Sequence, residues 1–249
     1  VRLASGALML GLLVRLARAR SQAPAQGEAA SGNWGSATAL FAYAIAFAAA
    51  YRYLTAATGA LLLFGGVQAT MILAGYLKGE RLHRLQGAGV LLALCGLFAL
   101  LLPGWAAPPP AAAVLMLGAG VAWGAYSLRG KGIPDPLRAT ADNFLRSLSL
   151  ILPAWIAWLT FNGFDAPSAI GIALATLSGA VTSGIGYAIW YTALRGLTAS
   201  TAATVQLAVP VITAVGGSLM LNEALSLRLV MASMAILGGI ALVILFRNR

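Results

Sequence analysis

The chain has 249 residues, of which 60% are hydrophobic and 9% are charged, and its formal net charge is +10. Soluble globular domains usually carry about 25% charged residues, so this composition excludes a soluble domain and indicates a membrane protein. The basic residues are scattered through short connectors rather than gathered on one face, which argues against a nucleic-acid-binding surface.

Apolar stretches of about 20 residues recur along the chain, the length that an α-helix needs to cross a bilayer. They lack the strict alternation of barrel strands. We therefore predict an all-α polytopic fold with nine spans: Leu3 to Leu16, Trp34 to Tyr51, Thr55 to Leu77, Leu85 to Leu102, Ala111 to Leu128, Ala139 to Phe161, Pro167 to Leu194, Ala199 to Leu221 and Leu227 to Phe246.

The distribution of basic residues predicts the orientation of these spans, because short cytoplasmic loops are enriched in Lys and Arg. With the C-terminus in the cytoplasm, twelve of the 16 Lys and Arg residues fall inside, and Arg2, Arg52 and Arg228 fall outside. This orientation starts the chain on the outer side, where no signal peptide is recognisable. We therefore expect that a first helix is missing from this chain and that the complete protein has ten.

A sequence pattern recurs at an offset of 143 residues. The stretch "YLKGERLHRLQGAGVLLALCG" (76–96) aligns with "LMLNEALSLRLVMASMAILGG" (219–239), and "RYLTAATGA" (52–60) aligns with "RGLTASTAA" (195–203). Five spans separate equivalent positions, and an odd number of crossings inverts the second copy. We predict two inverted five-helix repeats, an architecture of many secondary transporters. Chance similarity between Ala- and Leu-rich helices is the alternative.

Several motifs resemble those of the EamA-type drug/metabolite transporters. "GERLHRLQGAGVLLALCG" (79–96) is similar to the family's fourth-to-fifth-helix signature, and "NEALSLRLVMASMAILGG" (222–239) is similar to the ninth-to-tenth-helix counterpart. The resemblance implies one repeat at 1–104, without its first helix, and a second at 105–249, with both termini of the complete protein in the cytoplasm. Within the family, the chain looks most like the bacterial inner-membrane exporters of aromatic amino acids.

Polar and aromatic side chains within the spans are candidates for a substrate site. Gln68 and Gln206 are uncharged polar groups in repeat-equivalent spans, and each either joins helices or hydrogen-bonds a substrate. Aromatic residues near span ends, such as Tyr51, are equally typical of interfacial anchors. The predicted substrate-binding residues are Tyr43, Phe47, Gln68, Trp123, Tyr187, Gln206 and Pro210.

The acidic residues bear on energy coupling. Asp142 has Arg146 at i+4, a spacing that predicts a salt bridge. We expect no carboxylate at the midplane, where proton-coupled carriers usually keep one, and therefore downhill transport or coupling by other means.

No enzyme signature is recognisable. The stretch "GAGVAWG" (118–124) imitates a dinucleotide-binding fingerprint, but it lies in an apolar span rather than in a strand-to-helix turn. We expect no enzymatic activity, no metal and no cofactor. The expected function is export of small organic metabolites, with amino acids and especially aromatic ones first. A multidrug or lipophilic-cation exporter is the alternative, followed by a membrane scaffold. The expected partners are a small-molecule substrate and the lipid bilayer, with the protein acting as a monomer.

Overall fold

The computed structural model describes residues 1–20, 32–77, 79, 83–102, 107–130, 133–162, 166–194, 206 and 208–246. Over these residues the chain is helical and contains no strand, so the predicted all-α fold is confirmed. The helices are α1 (Arg2–Arg20), α2 (Trp34–Ala50), α3 (Ala56–Leu77), α4 (Arg84–Leu101), α5 (Pro110–Gly130), α6 (Pro136–Asn162), α7 (Ala169–Leu177, Ser178–Ile185 and Gly186–Leu194), α8 (Ala208–Leu221) and α9 (Leu227–Leu245).

Five helices of the described chain are long and apolar enough to cross a membrane. They are Ala56–Leu77, Arg84–Leu101, Pro110–Gly130, Ala169–Trp190 and Leu227–Leu245, whereas Trp34–Ala50 and Ala208–Leu221 are shorter apolar helices. The predicted spans agree with the helices to within a few residues at most ends. The predicted start of the eighth span, at Ala199, lies outside the described residues.

The middle of α7 is wound as a π-helix, which the sequence analysis did not predict. Ser178–Ile185 is π-helical, between α-helical segments on both sides. The Thr182 hydroxyl donates to the Ser178 carbonyl one turn back. Hydroxyl side chains can satisfy backbone carbonyls that a wider turn leaves free, which lets a π segment persist in an apolar helix.

The described helices form two compact units, which are described separately. The first unit consists of Val1–Phe41 and Arg129–Gly196. The second consists of Ala42–Leu128 and Leu197–Arg249. Each unit therefore draws on both predicted repeats, and the repeat boundary at 104/105 stays a prediction.

In the first unit, α1 packs against the π segment of α7 through small residues. A Cβ at Gly179 would collide with the Arg2 carbonyl and the Ser5 hydroxyl, and one at Gly184 would lie 2.6 Å from Met9 Cγ. Close backbone approach of this kind maximises van der Waals contact, the main attraction between helices where lipid replaces water.

In the second unit, the core lies among α3, α4, α5 and α9. Leu61, Leu62, Leu100, Met116 and Ile236 are each at most 2% exposed and belong to one apolar cluster. At the edges of this cluster, glycines bring neighbouring helices close together.

The two connectors of the sequence repeat have matching local structure. Gly79 (φ 91°) follows α3, and Asn222 (φ 53°) follows α8 at an offset of 143. The next helices, α4 and α9, begin at Arg84 and Leu227, which have the same offset. The repeated sequence is therefore accompanied by a repeated turn and helix start.

The repeat-equivalent helices α4 and α9 pack against each other in antiparallel directions. Gln86, near the start of α4, donates from Nε2 to the Val243 carbonyl near the end of α9 at 3.0 Å. Arg228, near the start of α9, donates from Nε to the Ala99 carbonyl near the end of α4 at 3.0 Å. Opposite directions are what inverted copies require, so this pair supports the predicted inversion.

The glycines of this pair make symmetric contacts. A Cβ at Gly96 would lie 3.0 Å from the Ile236 backbone nitrogen, and a Cβ at Gly239 would lie 2.6 Å from the Ala93 backbone nitrogen. Gly96 and Gly239 are equivalent at the offset of 143, as are Ala93 and Ile236. The two contacts are therefore one contact repeated by a local two-fold relation.

Candidate functional site

Five aromatic side chains form a continuous row in the second unit, on α2, the turn that follows it, and α5. Ring centroids lie 4.6 Å apart between Phe47 and Tyr51, 5.4 Å between Tyr43 and Phe47, and 4.9 Å between Tyr43 and Trp123. Trp123 in turn lies 5.6 Å from Tyr126. We call Tyr51, Phe47, Tyr43, Trp123 and Tyr126 the aromatic row.

The spacing of these residues places them on helix faces. Tyr43, Phe47 and Tyr51 follow one another at i+4, and Tyr126 follows Trp123 at i+3, so each set lies along one side of its helix. The contact between Tyr43 and Trp123 joins the two sets across helices. Tyr126 is 2% exposed, whereas Tyr43 and Trp123 are half-buried.

Gln68 is a buried residue of α3. It is 3% exposed, and its Nε2 has no hydrogen-bond partner among the described residues. The preceding residue, Val67, places its carbonyl oxygen 3.2 Å from where a Cβ of Gly124 would lie. Gly66, Val67 and Thr70 form the face of α3 that meets α5, and Gln68 lies on a different side of that helix.

Small residues allow this close approach of α3 and α5. A Cβ at Gly120 would collide with the Leu63 carbonyl and lie 3.0 Å from Gly66 Cα. Gly120 and Gly124 form a GxxxG spacing, which is typical of close helix packing in membranes. The stretch "GAGVAWG" thus serves to bring two helices together.

The remaining predicted site residues lie elsewhere. Tyr187 belongs to the first unit, where its ring packs edge-on against Phe144 with centroids 5.7 Å apart. Gln206 is half-buried, and Pro210 is buried in the first described turn of α8. The structure thus joins Tyr43, Phe47 and Trp123 in the row and places Gln68 on another side of α3, and the roles of all seven in binding stay predictions.

Two members of the aromatic row were not among the predicted site residues. Tyr126 is one of them, and its i+3 spacing from Trp123 is the sequence signal that both rings lie on one side of α5. Tyr51 was also compatible with an interfacial anchor, but its hydroxyl donates to the Ala56 carbonyl at 3.3 Å and its ring packs over Gly59. Tyr51 therefore closes the α2 to α3 turn at one end of the row.

A polar cluster in the first unit corrects the predicted Asp142–Arg146 salt bridge. Asp142 Oδ2 instead accepts from the Gly32 backbone N–H at 3.2 Å, and the Arg146 guanidinium lies 5.8 Å from the centre of the Trp34 ring. The i+4 spacing permits an ion pair, but the start of α2 offers both side chains other partners.

The start of α2 is also held by other side chains of the same cluster. Asn143 Oδ1 accepts from the Asn33 N–H at 2.9 Å, and the Ser147 hydroxyl donates to the Ala37 carbonyl at 2.9 Å. Arg129 Nη2 donates to Asn33 Oδ1 at 2.9 Å. These bonds fix the start of α2 against α6 and the end of α5.

Comparisons with known proteins identify the family. The model of the EamA-like transporter family matches residues 110–245. The chain is 53% identical over 244 residues to a Pseudomonas aeruginosa protein named "Uncharacterized protein PA1977", a match that covers 98% of this chain and 82% of that protein. A solved structure titled "Crystal structure of protein" superposes with a TM-score of 0.62 at 20% identity, covering all of this chain and 89% of the other, which shows a shared fold.

A family match over more than half of the chain and a close relative over nearly all of it agree with the helical, apolar architecture. The chain belongs to the EamA-like transporter family and is a multi-pass membrane transporter of small molecules.

Proposed function

We propose that the protein exports small organic metabolites across the bacterial inner membrane by alternating access, with amino acids as substrates and aromatic ones preferred. The observation that carries this proposal is the aromatic row, and the buried Gln68 Nε2, which has no partner among the described residues, supplies a separate polar group in the same unit. An aromatic amino acid offers a ring to the aromatic row and a hydrogen-bond acceptor to the Gln68 amide.

The aromatic row suits a flat apolar ligand. Offset and edge-to-face ring pairs contribute about 0.5 to 1.5 kcal/mol beyond the burial of their area. Tyr43, Phe47 and Trp123 are half-buried rather than fully enclosed. Of the three, Trp123 has the largest aromatic face for a ligand ring to stack on.

The same ring faces could also attract a lipophilic cation, which is the second candidate substrate. Aromatic faces bind organic cations through the ring quadrupole, best with Trp. A cation would make no use of the unpartnered Gln68 N–H donor, however, because a cation accepts no hydrogen bond through its charged group. For this reason we place amino acids first.

The antiparallel pairing of α4 with α9 supports alternating access as the mechanism. In carriers built from inverted repeats, the two halves exchange conformations about the symmetry relation, which opens the site to each side in turn. The symmetric glycine contacts of Gly96 and Gly239 are a local instance of that relation.

The acidic residues that the structure describes are engaged with backbone groups. Asp135 Oδ1 accepts from the Arg138 N–H at 3.0 Å, Asp142 accepts from Gly32, and Glu223 accepts from Ala56. The other three of the six acids, Glu28, Glu80 and Asp165, lie outside the described residues. We propose that none of the three engaged carboxylates couples transport to protons.

Uptake of labelled phenylalanine into liposomes that contain the purified protein tests the proposed function. We expect saturable uptake without a pH gradient, competed by tyrosine and tryptophan more strongly than by leucine, threonine or a lipophilic cation. Flux of the cation with no flux of phenylalanine would instead support the multidrug function. No flux of either would support the scaffold.

A further inference from the structure

Arg146 is a charged residue well inside α6. It stands ten positions after Pro136, the first residue of the helix, which is about 15 Å at 1.5 Å per residue, and it is half-buried. Charged side chains within membrane helices are rare and usually paired. Among the described residues, however, the Arg146 guanidinium group has no ion pair and no hydrogen bond, and its contact is with the Trp34 ring.

Trp34 places this pair at the membrane interface rather than in the hydrocarbon core. It is the first residue of α2, a 17-residue apolar helix, and Trp is enriched where a span leaves the membrane. The 27 residues of α6 span about 40 Å, more than the about 30 Å of hydrocarbon, so part of α6 extends beyond it. The Arg146 guanidinium group, 5.8 Å from the centre of the Trp34 ring, therefore lies at the level of the lipid headgroups.

The side of the first unit that carries this pair is open to the bilayer. Trp34 is 56% exposed, and Leu145, the residue before Arg146, is 57% exposed. Ser149, which follows Arg146 at i+3 and shares its side of α6, is also exposed. The described part of the chain thus leaves the pair accessible, and a lipid molecule beside α2 and α6 can reach it.

The chemistry of the pair favours an ionised phosphate as its ligand. A guanidinium group stays charged and presents its N–H donors in a planar fork that matches two phosphate oxygens. Two described guanidinium groups, those of Arg146 and Arg129, reach the start of α2, where Asp142 is the carboxylate that opposes them. Positive charge is therefore in excess at this level, which favours a headgroup with net negative charge over a zwitterionic one.

We propose that Arg146 and Trp34 bind the headgroup of an anionic phospholipid. The Arg146 guanidinium group donates to the phosphate oxygens, and the exposed part of the Trp34 ring packs along the glycerol and the upper acyl chain. The inference goes beyond the proposed function, because it holds whatever solute the protein transports. The bound lipid joins α2 to α6 on their exposed side, as Asn143 and Ser147 do on the buried side.

Melting temperatures of the purified protein in detergent, measured while phosphatidylglycerol is added, test this site. A ligand that binds only the folded protein raises the melting temperature. We expect phosphatidylglycerol to raise it further than phosphatidylcholine does at the same concentration. Arg146→Gln should raise the half-saturating phosphatidylglycerol concentration about tenfold, because a hydrogen bond to a charged group is lost. Arg146→Lys, which keeps the charge and loses the fork, should lie between the two.

Arg138→Gln is the matched control. It removes the same charge from the same helix, eight positions before Arg146, and should keep the wild-type response to phosphatidylglycerol. An equal loss of response in Arg138→Gln and Arg146→Gln would overturn the site and leave only the attraction of the whole charged end for anionic lipid. A wild-type response in Arg146→Lys would overturn the role of the fork, and this test remains if Arg146→Gln does not fold.

Inorganic phosphate separates a lipid site from a site for a free anion. We expect it to leave the melting temperature of the wild type unchanged at concentrations where phosphatidylglycerol raises it, because phosphate brings no chain to the Trp34 ring. An increase with inorganic phosphate that Arg146→Gln abolishes would overturn the lipid assignment. None of these readouts requires flux, so absence of phenylalanine transport would overturn the proposed function and leave the lipid site standing.

Discussion

At the scale of single residues, the structure shows what Glu223 contacts, the acid that stands where the first copy of the sequence repeat has Glu80. Glu223 was visible in the sequence as a repeated acid, but its contact is made 167 residues away: Oε1 and Oε2 accept from the Ala56 N–H at 2.8 and 2.9 Å. A carboxylate at a helix N-terminus satisfies an unpaired N–H and interacts favourably with the helix dipole. Gly217 leaves space for it, since a Cβ there would lie 2.6 Å from Glu223 Oε2.

Replacing Gly217 by Ala tests this contact. The new methyl group should displace the Glu223 carboxylate from the start of α3 and cost about 1 kcal/mol, or about 2 to 4 °C in melting temperature for a chain of this size. Gly216→Ala is the matched control, because no atom lies within 4 Å of its Cβ position. Equal melting temperatures of the two variants in detergent would show that the contact contributes nothing to stability.

If the proposed function is correct, Trp123 is the residue on which we expect binding of an aromatic substrate to depend most. Trp123→Ala removes the ring that joins the α2 and α5 parts of the row, and we expect the half-saturating phenylalanine concentration to rise about tenfold, since aromatic pairs contribute about 0.5 to 1.5 kcal/mol beyond their buried area. Trp123→Phe should recover part of the loss. Trp155, 50% exposed on α6, supplies the control variant Trp155→Ala. Unchanged half-saturation in Trp123→Ala would remove the row from the site.

Residue spacing could predict the aromatic faces but not their contacts. Tyr43, Phe47 and Tyr51 were recognisable as one face, because periodicity within a helix is local information. The partner of Tyr43 is Trp123, eighty positions away, and the Gln68 side chain is 3% exposed. Neither fact follows from a pattern within one span.

At the scale of helices, glycines decide how closely neighbours approach. Gly66, Gly120 and Gly124 bring α3 and α5 together, and Gly89, Gly96 and Gly239 do the same for α4 and α9. On the seventh span the four-residue spacing of Gly171, Ala175, Gly179 and Ser183 predicts a ridge of small residues that lets a neighbouring helix approach closely. Of that ridge Gly179 and Ser183 are buried, whereas Gly171 is exposed. The π-helical turn explains part of this difference in burial. It changes the angle between successive residues, so residues at four-residue spacing do not stay on one side of the helix through the turn.

Gly120→Ala tests the packing of α3 on α5. Its methyl group would meet the Leu63 carbonyl and Gly66 Cα, both backbone atoms that cannot move without the helix, so we expect a loss of about 1 to 3 kcal/mol in stability. Gly118→Ala, two residues away with open space at its Cβ position, should be neutral or slightly stabilising, because Ala favours helix. The measurement is the melting temperature in detergent, and a Gly120→Ala variant as stable as Gly118→Ala would contradict the close packing.

At the scale of the whole molecule, the fold class and the repeated connector were predictable, whereas the two compact units were not. Composition and span length determine that the chain is all-α and polytopic, since only helices of this length satisfy their backbone groups in lipid. The offset of 143 residues reappears in the paired turns at Gly79 and Asn222. The division into units depends on which helices pack together, which no single span records.

Orientation is a prediction at this scale. In a Cys95→Ser background, which removes the single cysteine, Arg249→Cys should react with a membrane-impermeant thiol reagent only after the cells are permeabilised. Thr55→Cys, in the exposed connector beside Arg52, should react in intact cells once the outer membrane is made permeable. The opposite labelling pattern would reverse the assignment of the C-terminus to the cytoplasm.

The central claim is that the protein is a carrier whose site faces one side of the membrane at a time. Counterflow measures this property directly: liposomes that contain the protein are loaded with unlabelled phenylalanine and diluted into a trace of labelled phenylalanine. A carrier brings label in and returns from the inner side mostly with unlabelled phenylalanine, so we predict a transient accumulation of label above its equilibrium level. Label that only equilibrates, at a rate independent of the internal phenylalanine, would indicate a channel and contradict the account.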